Sequence, residues 1–165
     1  MGVEIERRYL VSDPNAALSA SSISCHITQG YFGVIDRLRV RVRIRSMNSH
    51  SGAFLTFKGA RRGLCRLEFE YPLDLDRAQA ALGTLPSNRI ISKNRFEFHG
   101  CQGAIWTIDQ FLGLNTGLIL AEIELSHPNQ KIELPEWVGD EVTFNPRYGN
   151  SRLARSPIKR VPLAA

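Results

Sequence analysis

The chain has 165 residues, of which 43% are hydrophobic and 22% charged, and its formal net charge at pH 7 is +5. This length predicts one domain over residues 1–165, and the composition excludes a disordered or fibrous chain. No apolar run reaches the roughly 18 residues of a membrane span, and the N-terminus lacks the basic and apolar regions of a secretory signal. We therefore expect a soluble cytoplasmic protein with no membrane partner.

The positive charge comes mainly from arginine, with 17 arginines and four lysines. The planar guanidinium donates several hydrogen bonds at once and matches phosphate and carboxylate oxygens. A coding bias that replaces surface lysines would produce the same count, and composition alone does not separate the two explanations. The three cysteines and four histidines lack the spacing of a disulfide framework or a zinc site, so any metal is expected to have oxygen ligands.

Alternation of polar and apolar residues, the period of a half-buried strand, dominates the sequence. The predicted strands, in chain order, are 3–11, 37–45, 53–58, 66–73, 89–98, 104–111 and 118–125. Seven or eight strands in a chain of this length predict an antiparallel sheet that is closed or strongly curved.

Three short helices are predicted between and after these strands. Asp13 followed by Pro14 starts a helix over 14–20, and Asp74 or Asp76 caps a second helix over 74–85. A third helix is expected around 150–155, opened by Asn150 or Ser151. The fold is therefore dominated by β structure.

Charged side chains share one face of each predicted strand, because successive side chains point to opposite sides. The charged faces hold Glu4, Glu6 and Arg8; Arg37, Arg39, Arg41, Arg43 and Arg45; Lys58; Arg66, Glu68 and Glu70; Lys93, Arg95 and Glu97; and Glu122 and Glu124. Polar and apolar residues also alternate in an ordinary sheet that has one solvated face. The pattern of a single strand therefore does not show whether its charged face lines an interior or faces solvent.

The set of strands favours an interior, because like charges stand two residues apart. Such pairs repel each other at a cost of some tenths of a kcal/mol each, and a merely soluble surface mixes the signs more. Carboxylate pairs suit an oxygen-seeking divalent cation such as Mg²⁺ or Mn²⁺, and rows of arginine and lysine suit a polyphosphate. If the charged faces point inward, the sheet encloses a polar tunnel.

This pattern resembles the CYTH superfamily, the triphosphate tunnel metalloenzymes. Glu4, Glu6 and Arg8 match its N-terminal ExExK motif. The likeness continues through QGYF (29–32), RVR (41–43), LTFKG (55–59), RLEFEY (66–71), KNRF (93–96), residues 108–125, ELPEWVGDEV and NPRYGNSRL. The resemblance covers nearly the whole chain and implies an α+β fold, an antiparallel eight-stranded closed barrel with a charged interior and a few flanking helices.

The resemblance also implies roles for the charged residues. Glu4, Glu6, Glu122 and Glu124 correspond to the carboxylates that carry Mg²⁺ or Mn²⁺, with Glu68, Glu70 and Asp109 completing or supporting them. The residues that correspond to the triphosphate-binding cations are Arg39, Arg41, Arg43, Lys58, Arg66, Lys93 and Arg95. The register of the arginine strand stays open by two residues, and Arg37 and Arg45 are expected at its ends.

Three further positions carry open alternatives. Tyr31 matches the tyrosine of the family's QGYL motif and is a candidate for assisting proton removal from water, or else a packing residue. Arg147 either closes the tunnel or pairs with a carboxylate. Arg8 replaces the motif lysine, and it preserves a phosphate-holding role but not a proton-transfer role, because arginine does not lose its proton.

We predict a divalent-metal-dependent hydrolase of the terminal phosphoanhydride of a small triphosphate, with inorganic tripolyphosphate as substrate. An adenylate cyclase of the same fold is the first alternative, although no adenine pocket is evident. A polyphosphate or nucleotide sensor that lost turnover through Arg8 is the second, and gain of activity in Arg8→Lys would support it. Carboxylates are interleaved with the basic residues and no aromatic surface for stacking bases is evident, which argues against a nucleic-acid partner. Whether the protein forms a homodimer through its apolar outer sheet is left open.

Overall fold

An antiparallel sheet closes on itself in the computed structural model, which describes residues 2–158 apart from the side chains of residues 23, 24 and 102. Its strands are β1 (Gly2–Val11), β2 (Ser22–Ile35), β3 (Leu38–Met47), β4 (His50–Lys58), β5 (Cys65–Leu73), β6 (Ile90–His99), β7 (Ile105–Phe111), β8 (Ile119–Glu124) and β9 (Val138–Glu141). The ring runs β1, β8, β7, β6, β2, β3, β4, β5 and back to β1. The predicted eight-stranded barrel is confirmed.

Strand β1 closes the ring because it is long enough to pair with three other strands. Gly2–Ile5 pairs with β5, Glu6–Leu10 pairs with β8, and Tyr9–Val11 pairs with β9, which lies outside the ring. Its alternating side chains point to opposite faces, so Glu4 and Glu6 face the interior while the alternate residues pack outside the barrel.

Two strands escaped the sequence analysis. The 14-residue β2 contains register shifts at residues 23–25 and 31–33, which break the period-two pattern on which the prediction relied. It also contains Gly30, where an added Cβ would lie 2.5 Å from the side chain of Leu85 and 2.6 Å from that of Leu82. The four-residue β9 is too short to show an alternation.

Strand β3 begins one residue later than predicted. Asp36 and Arg37 form the turn before it with positive φ values of 48° and 67°, as in the two-residue turns that join hairpin strands. Arg37 is therefore exposed and outside the strand, whereas Val40 and Val42 are buried and the arginines between them face the other side. Arg37 thus lies just before the strand end at which it was predicted, whereas β3 continues for two residues beyond Arg45, so the predicted end position of Arg45 is wrong.

The three helices are α1 (Pro14–Ser19), α2 (Leu75–Gly83) and α3 (Asn150–Arg155). The Asp13 side chain accepts a hydrogen bond of 3.0 Å from the backbone of Ala16, and Asp74 caps α2 in the same way. The predicted cap of α3 is wrong, because Gly149 occupies the cap position and no side chain caps that helix.

Apolar residues on the outer side of the barrel form two of the three core clusters. The larger one joins β1, β7 and β8 to α1 and to the segment before β9, with Trp106 fully buried and its ring centroid 5.8 Å from that of Trp137. The smaller one packs α2 against β3 and β4. Apolar packing therefore supports the barrel from outside and leaves the interior to charged groups.

The third cluster fills one end of the barrel. Tyr31 of β2, Phe111 of β7 and Leu120 of β8 pack there with Leu153 of α3. The Asn115 side chain donates a 3.2 Å hydrogen bond to the Leu153 carbonyl and fixes the helix there. The interior is consequently open at one end and closed at the other.

Part of the outer sheet remains exposed. Val3 and Leu67 are direct partners on β1 and β5 and keep 57% and 48% of their surface, and Tyr71 keeps 54%. A homodimer through this face stays a prediction. Within residues 2–158, no helix has the length and apolar character needed to cross a bilayer.

Candidate active site

The interior of the barrel contains a cavity of about 470 Å³ whose lining is almost entirely charged. Its charged lining residues are Glu4, Glu6, Arg8, Arg41, Arg43, Lys58, Glu68, Glu70, Lys93, Arg95, Glu122 and Glu124. Gly2, Val3, Gln29 and Asn150 complete the lining. The barrel therefore brings together all four predicted metal carboxylates and five of the predicted phosphate-binding cations.

A buried carboxylate fixes two of these cations from behind. Asp109 is fully buried on β7, and the Arg95 guanidinium donates to its two oxygens at 2.7 and 2.8 Å. The Lys93 ammonium donates to the same carboxylate. Although burial acts in the opposite direction, Arg95 and Lys93 lower the pKa of Asp109, which stays ionised. Asp109 thus positions cations and does not itself line the cavity.

Arg8 connects two carboxylates to the closed end of the barrel. Its guanidinium donates to Glu122 at 2.6 Å, to Glu6 at 3.2 Å and to the backbone carbonyl of Tyr148 at 3.2 Å. Burial alone would lower the pKa of Arg8, but the charges of Glu122 and Glu6 raise it above its ordinary value. Arg8 is therefore a permanent cation that links β1, β8 and the segment before α3.

Ion pairs also occupy the carboxylates on the β4 and β5 side. Lys58 Nζ lies 2.7 Å from an oxygen of Glu4 and 2.9 Å from one of Glu68. Arg43 donates to Glu70 at 2.6 Å. These contacts follow from the register, since Lys58 pairs directly with Glu68 across the two strands. In the absence of ligand, the cations and carboxylates of the cavity neutralise one another.

Several guanidinium N–H groups nevertheless lack an acceptor in the described part of the chain. They are buried nitrogens of four arginines: Nε of Arg41, Arg43 and Arg66, and Nη1 of Arg61. Burial and the neighbouring charge of Arg41 lower the pKa of Arg43 to about 10. Buried donors are normally satisfied and costly when they are not. Unpaired donors among like charges indicate a site for an anion with several oxygens.

Carboxylates crowd together near Glu124. Glu6 and Glu124 are direct partners across β1 and β8. Burial and the charges of Glu4 and Glu68 raise the pKa of Glu124. Burial and the charge of Glu122 raise the pKa of Glu6, and Arg8 acts in the opposite direction. Within residues 2–158, Glu124 makes neither a hydrogen bond nor an ion pair. Its charge is therefore compensated only at a distance, by Lys58.

This carboxylate group fits a divalent cation chemically, but it is not preassembled. No three metal-ligating side chains of the described residues converge on one point. Glu4, Glu6 and Glu122 are each held by a cation instead. Carboxylate oxygens are the ligands that Mg²⁺ prefers, and a divalent cation would relieve the repulsion around Glu124. A metal site here requires that some ion pairs open.

Arg61 contacts a carboxylate of the cavity from outside the lining, and the sequence analysis missed it. It lies in the loop between β4 and β5, and its guanidinium pairs closely with Glu6. The only sequence signal was the pair of arginines in the GARRG segment, and a loop has no periodicity that would predict where a side chain points. Gln29 was also missed, because it belongs to β2.

Tyr31 lies beneath the cavity among the apolar residues of the closed end. Burial raises the pKa of its phenol to about 12, and the Gln29 amide donates to the phenol oxygen at 2.7 Å. The phenol therefore keeps its proton at neutral pH. Removal of a proton from water by Tyr31 would require its pKa to fall when ligands bind.

Three predicted cations lie outside the lining. Arg39 is exposed at the start of β3. Arg66 is partly buried opposite Glu4 on β5, and burial followed by the charge of Arg61 lowers its pKa. Arg147 is exposed, does not line the cavity and forms no ion pair in the described residues, so its predicted role in closing the tunnel stays a prediction.

Comparison with known proteins places this geometry in a family. The family model described as the CYTH domain matches residues 2–156. The chain belongs to the CYTH family. An inorganic triphosphatase of Acetivibrio thermocellus is 38% identical over 96% of this chain and 97% of its own length. One from Nitrosomonas europaea is 31% identical over 93% of this chain and 97% of its own length.

A solved CYTH fold agrees with the sequence matches. The crystal structure of an inorganic triphosphatase superposes with a TM-score of 0.64 and 27% identity, and the match covers 98% of each chain. The barrel, its closed ring and its few helices are thus those of the family. In the present chain, Arg8 stands where the ExExK motif has its lysine, and it makes three contacts.

Proposed function

We propose that this CYTH protein hydrolyses the terminal phosphoanhydride bond of inorganic tripolyphosphate in the presence of Mg²⁺ or Mn²⁺. One observation carries the proposal: a single cavity joins Arg41 and Arg43, whose buried Nε atoms lack acceptors, to Glu124, which forms no ion pair in the described residues. A polyphosphate supplies oxygens to the first group and a divalent cation supplies charge to the second. The names of the two bacterial relatives agree with this chemistry.

The cavity wall favours an inorganic substrate over a nucleotide. Its lining contains no aromatic side chain and only one apolar side chain, Val3. A nucleobase is ordinarily held by stacking and by apolar contact. A linear chain of phosphates needs neither, because charged donors recognise it along its whole length.

In the proposed mechanism, cations on three strands hold the phosphate chain. Arg41 and Arg43 of β3, Lys58 of β4, and Lys93 and Arg95 of β6 surround the same space. Arg41 and Arg43 each keep an N–H free for a phosphate oxygen. Neutralising the phosphates and fixing their direction supplies most of the catalysis in phosphoryl transfer.

Glu4, Glu6, Glu122 and Glu124 would hold the divalent cation, with Glu68 and Glu70 supporting them across the cavity. When bound, the cation withdraws charge from the terminal phosphoryl group and favours in-line attack. Water forms a bond to the terminal phosphorus while the bond to the bridging oxygen breaks, which yields orthophosphate and pyrophosphate. Tyr31, which keeps its proton, donates a hydrogen bond near this point.

Arg8 serves in this scheme as a fixed cation and not as a proton acceptor. Its links to Glu122, Glu6 and the Tyr148 carbonyl orient two carboxylates toward the cavity. Arg39 and Arg66 lie beyond the lining and attract the substrate electrostatically as it approaches. Arg147 has no assigned contact and its role stays a prediction.

The proposal is tested by phosphate release from the purified protein. With Mg²⁺ or Mn²⁺, we expect orthophosphate from tripolyphosphate at a kcat/KM at least about tenfold above that for ATP, and no activity in excess EDTA. Cyclic AMP and pyrophosphate from ATP would indicate the cyclase instead. Tight metal-dependent binding of tripolyphosphate without any product would indicate the sensor.

The pH dependence of kcat/KM should reveal Lys93. Burial lowers the pKa of its ammonium to about 8, although Asp109 opposes this. Above that pH the free protein loses a cation, so kcat/KM for tripolyphosphate should fall as the pH rises through about 8. In Lys93→Arg the charge at this position persists, and the fall should move up to about pH 10, where the pKa of Arg43 lies. Superimposable profiles of the two proteins from pH 6 to 10 would contradict this assignment.

A further inference from the structure

We infer that Arg61 is a displaceable counter-ion of Glu6: Arg61 holds this carboxylate while no divalent cation is bound to it, and leaves it when one binds. The inference rests on the proposed function, because it takes Glu6 as a metal ligand. It assigns a role to a residue that lies outside the barrel strands.

The contacts of Glu6 are the first step. The same oxygen of Glu6 accepts from both Arg8 and Arg61. Arg8 has a shorter contact of 2.6 Å with Glu122 and a third one with the Tyr148 carbonyl, so it remains in place without Glu6. In the described residues, Arg61 has no ion-pair partner other than Glu6.

The position of Arg61 in the chain is the second step. The other cations around the carboxylates belong to strands, whose hydrogen bonds fix their backbone. Arg61 belongs to the loop that joins β4 to β5, between the backbone contact of Gly59 with Leu67 and the turn from Arg62 to Cys65. Loop segments rearrange more readily than paired strands, so Arg61 is the cation best able to move.

Electrostatics supply the third step. Arg61 lies close enough to Arg66 to repel it, and its Nη1 is buried without an acceptor. Only the charge of Glu6 compensates for these costs. A divalent cation on Glu6 removes that compensation and adds a further positive charge nearby, so both effects drive Arg61 away. Arg61 and the metal therefore compete for one carboxylate.

The test measures metal affinity without substrate. Calorimetric titration of the substrate-free protein with MnCl₂ should show about fivefold tighter binding in Arg61→Gln than in the unaltered protein. A merely structural role would weaken binding instead. Arg62→Gln is the matched control, because Arg62 is the adjacent, exposed arginine of the same loop and forms no ion pair in the described residues. Arg61→Lys keeps the charge and should bind Mn²⁺ within about twofold of the unaltered protein.

Equal affinities of Arg61→Gln and the unaltered protein, weaker binding by the variant, or no binding by either would overturn the inference. The Mn²⁺ concentration for half-maximal phosphate release should fall in parallel. Mn²⁺ binding as expected, without hydrolysis of tripolyphosphate, would contradict the proposed function and leave the role of Arg61 standing. Hydrolysis with unchanged Mn²⁺ affinity in Arg61→Gln would contradict the inference alone.

Discussion

Asp109→Asn should lower the free energy of unfolding by about 3 to 5 kcal/mol, because it leaves two buried cations without their common carboxylate. Lys93 is 1% exposed and Asp109 is fully buried, so water cannot replace the lost charge. Arg95 loses a bidentate contact at the same time. Urea unfolding at pH 7, followed by circular dichroism, measures the difference.

Asp140→Asn is the matched control for this variant. Asp140 is an exposed carboxylate on β9 with no ion pair in the described residues, and its loss should change the free energy of unfolding by less than about 0.5 kcal/mol. A loss below about 1 kcal/mol in Asp109→Asn would show that the pair of cations finds other compensation. The contacts of Asp109 with Lys93 and Arg95 would then not be needed for the stability of the fold.

The strands that the sequence predicted are those whose period is undisturbed. In β1, β3 and β6, charged side chains recur at every second position over five or more residues, and this recurrence is a local property that needs no knowledge of the partner strand. Strand β2 lacks this recurrence. Its register shifts change which residues share a face, and Gly30 leaves the space that the side chains of Leu82 and Leu85 occupy. Its form depends on contacts with distant residues.

For the site, the sequence predicted which side chains share a face of one strand, but not which side chains meet across two strands. Parity shows that Glu122 and Glu124 share a face, but the register of β8 against β1 decides that Glu124 meets Glu6 and that Glu122 meets Arg8. The same limit applies to Asp109, whose pairing with Arg95 across β6 and β7 makes it a partner of cations. No local pattern could reveal Arg61, since its contact with Glu6 depends on how a loop folds over the barrel.

The charged groups of the cavity pair with one another. Cations that would bind phosphate now bind carboxylates, and carboxylates that would bind a metal now bind cations. Substrate and metal therefore exchange one set of ion pairs for another, which limits the desolvation cost of binding. Glu124 is the exception, since it forms no ion pair in the described residues. Replacing it should therefore affect activity without lowering the stability of the fold.

Glu124→Gln should accordingly reduce metal-dependent hydrolysis of tripolyphosphate by about 100-fold or more, while the melting temperature stays constant or rises slightly. Burial and the repulsion from Glu4 and Glu68 raise the pKa of this carboxyl. A raised carboxyl pKa means that ionisation weakens the fold as the pH rises through the unfolded and then the folded pKa. A neutral amide removes that penalty at pH 7. Phosphate release at saturating Mn²⁺ and thermal unfolding at pH 7 measure the two effects.

A loss of activity without a loss of thermal stability distinguishes a ligand-binding carboxylate from a structural one. Glu136→Gln is the control, because Glu136 is exposed, remote from the cavity lining and without an ion pair in the described residues, and it should change neither quantity. If Glu124→Gln lost stability together with activity, Glu124 would have a structural partner that the ligand-free cavity does not show. If it kept full activity, the metal would have to be held by Glu4, Glu6 and Glu122 alone, each of which must first give up a cation.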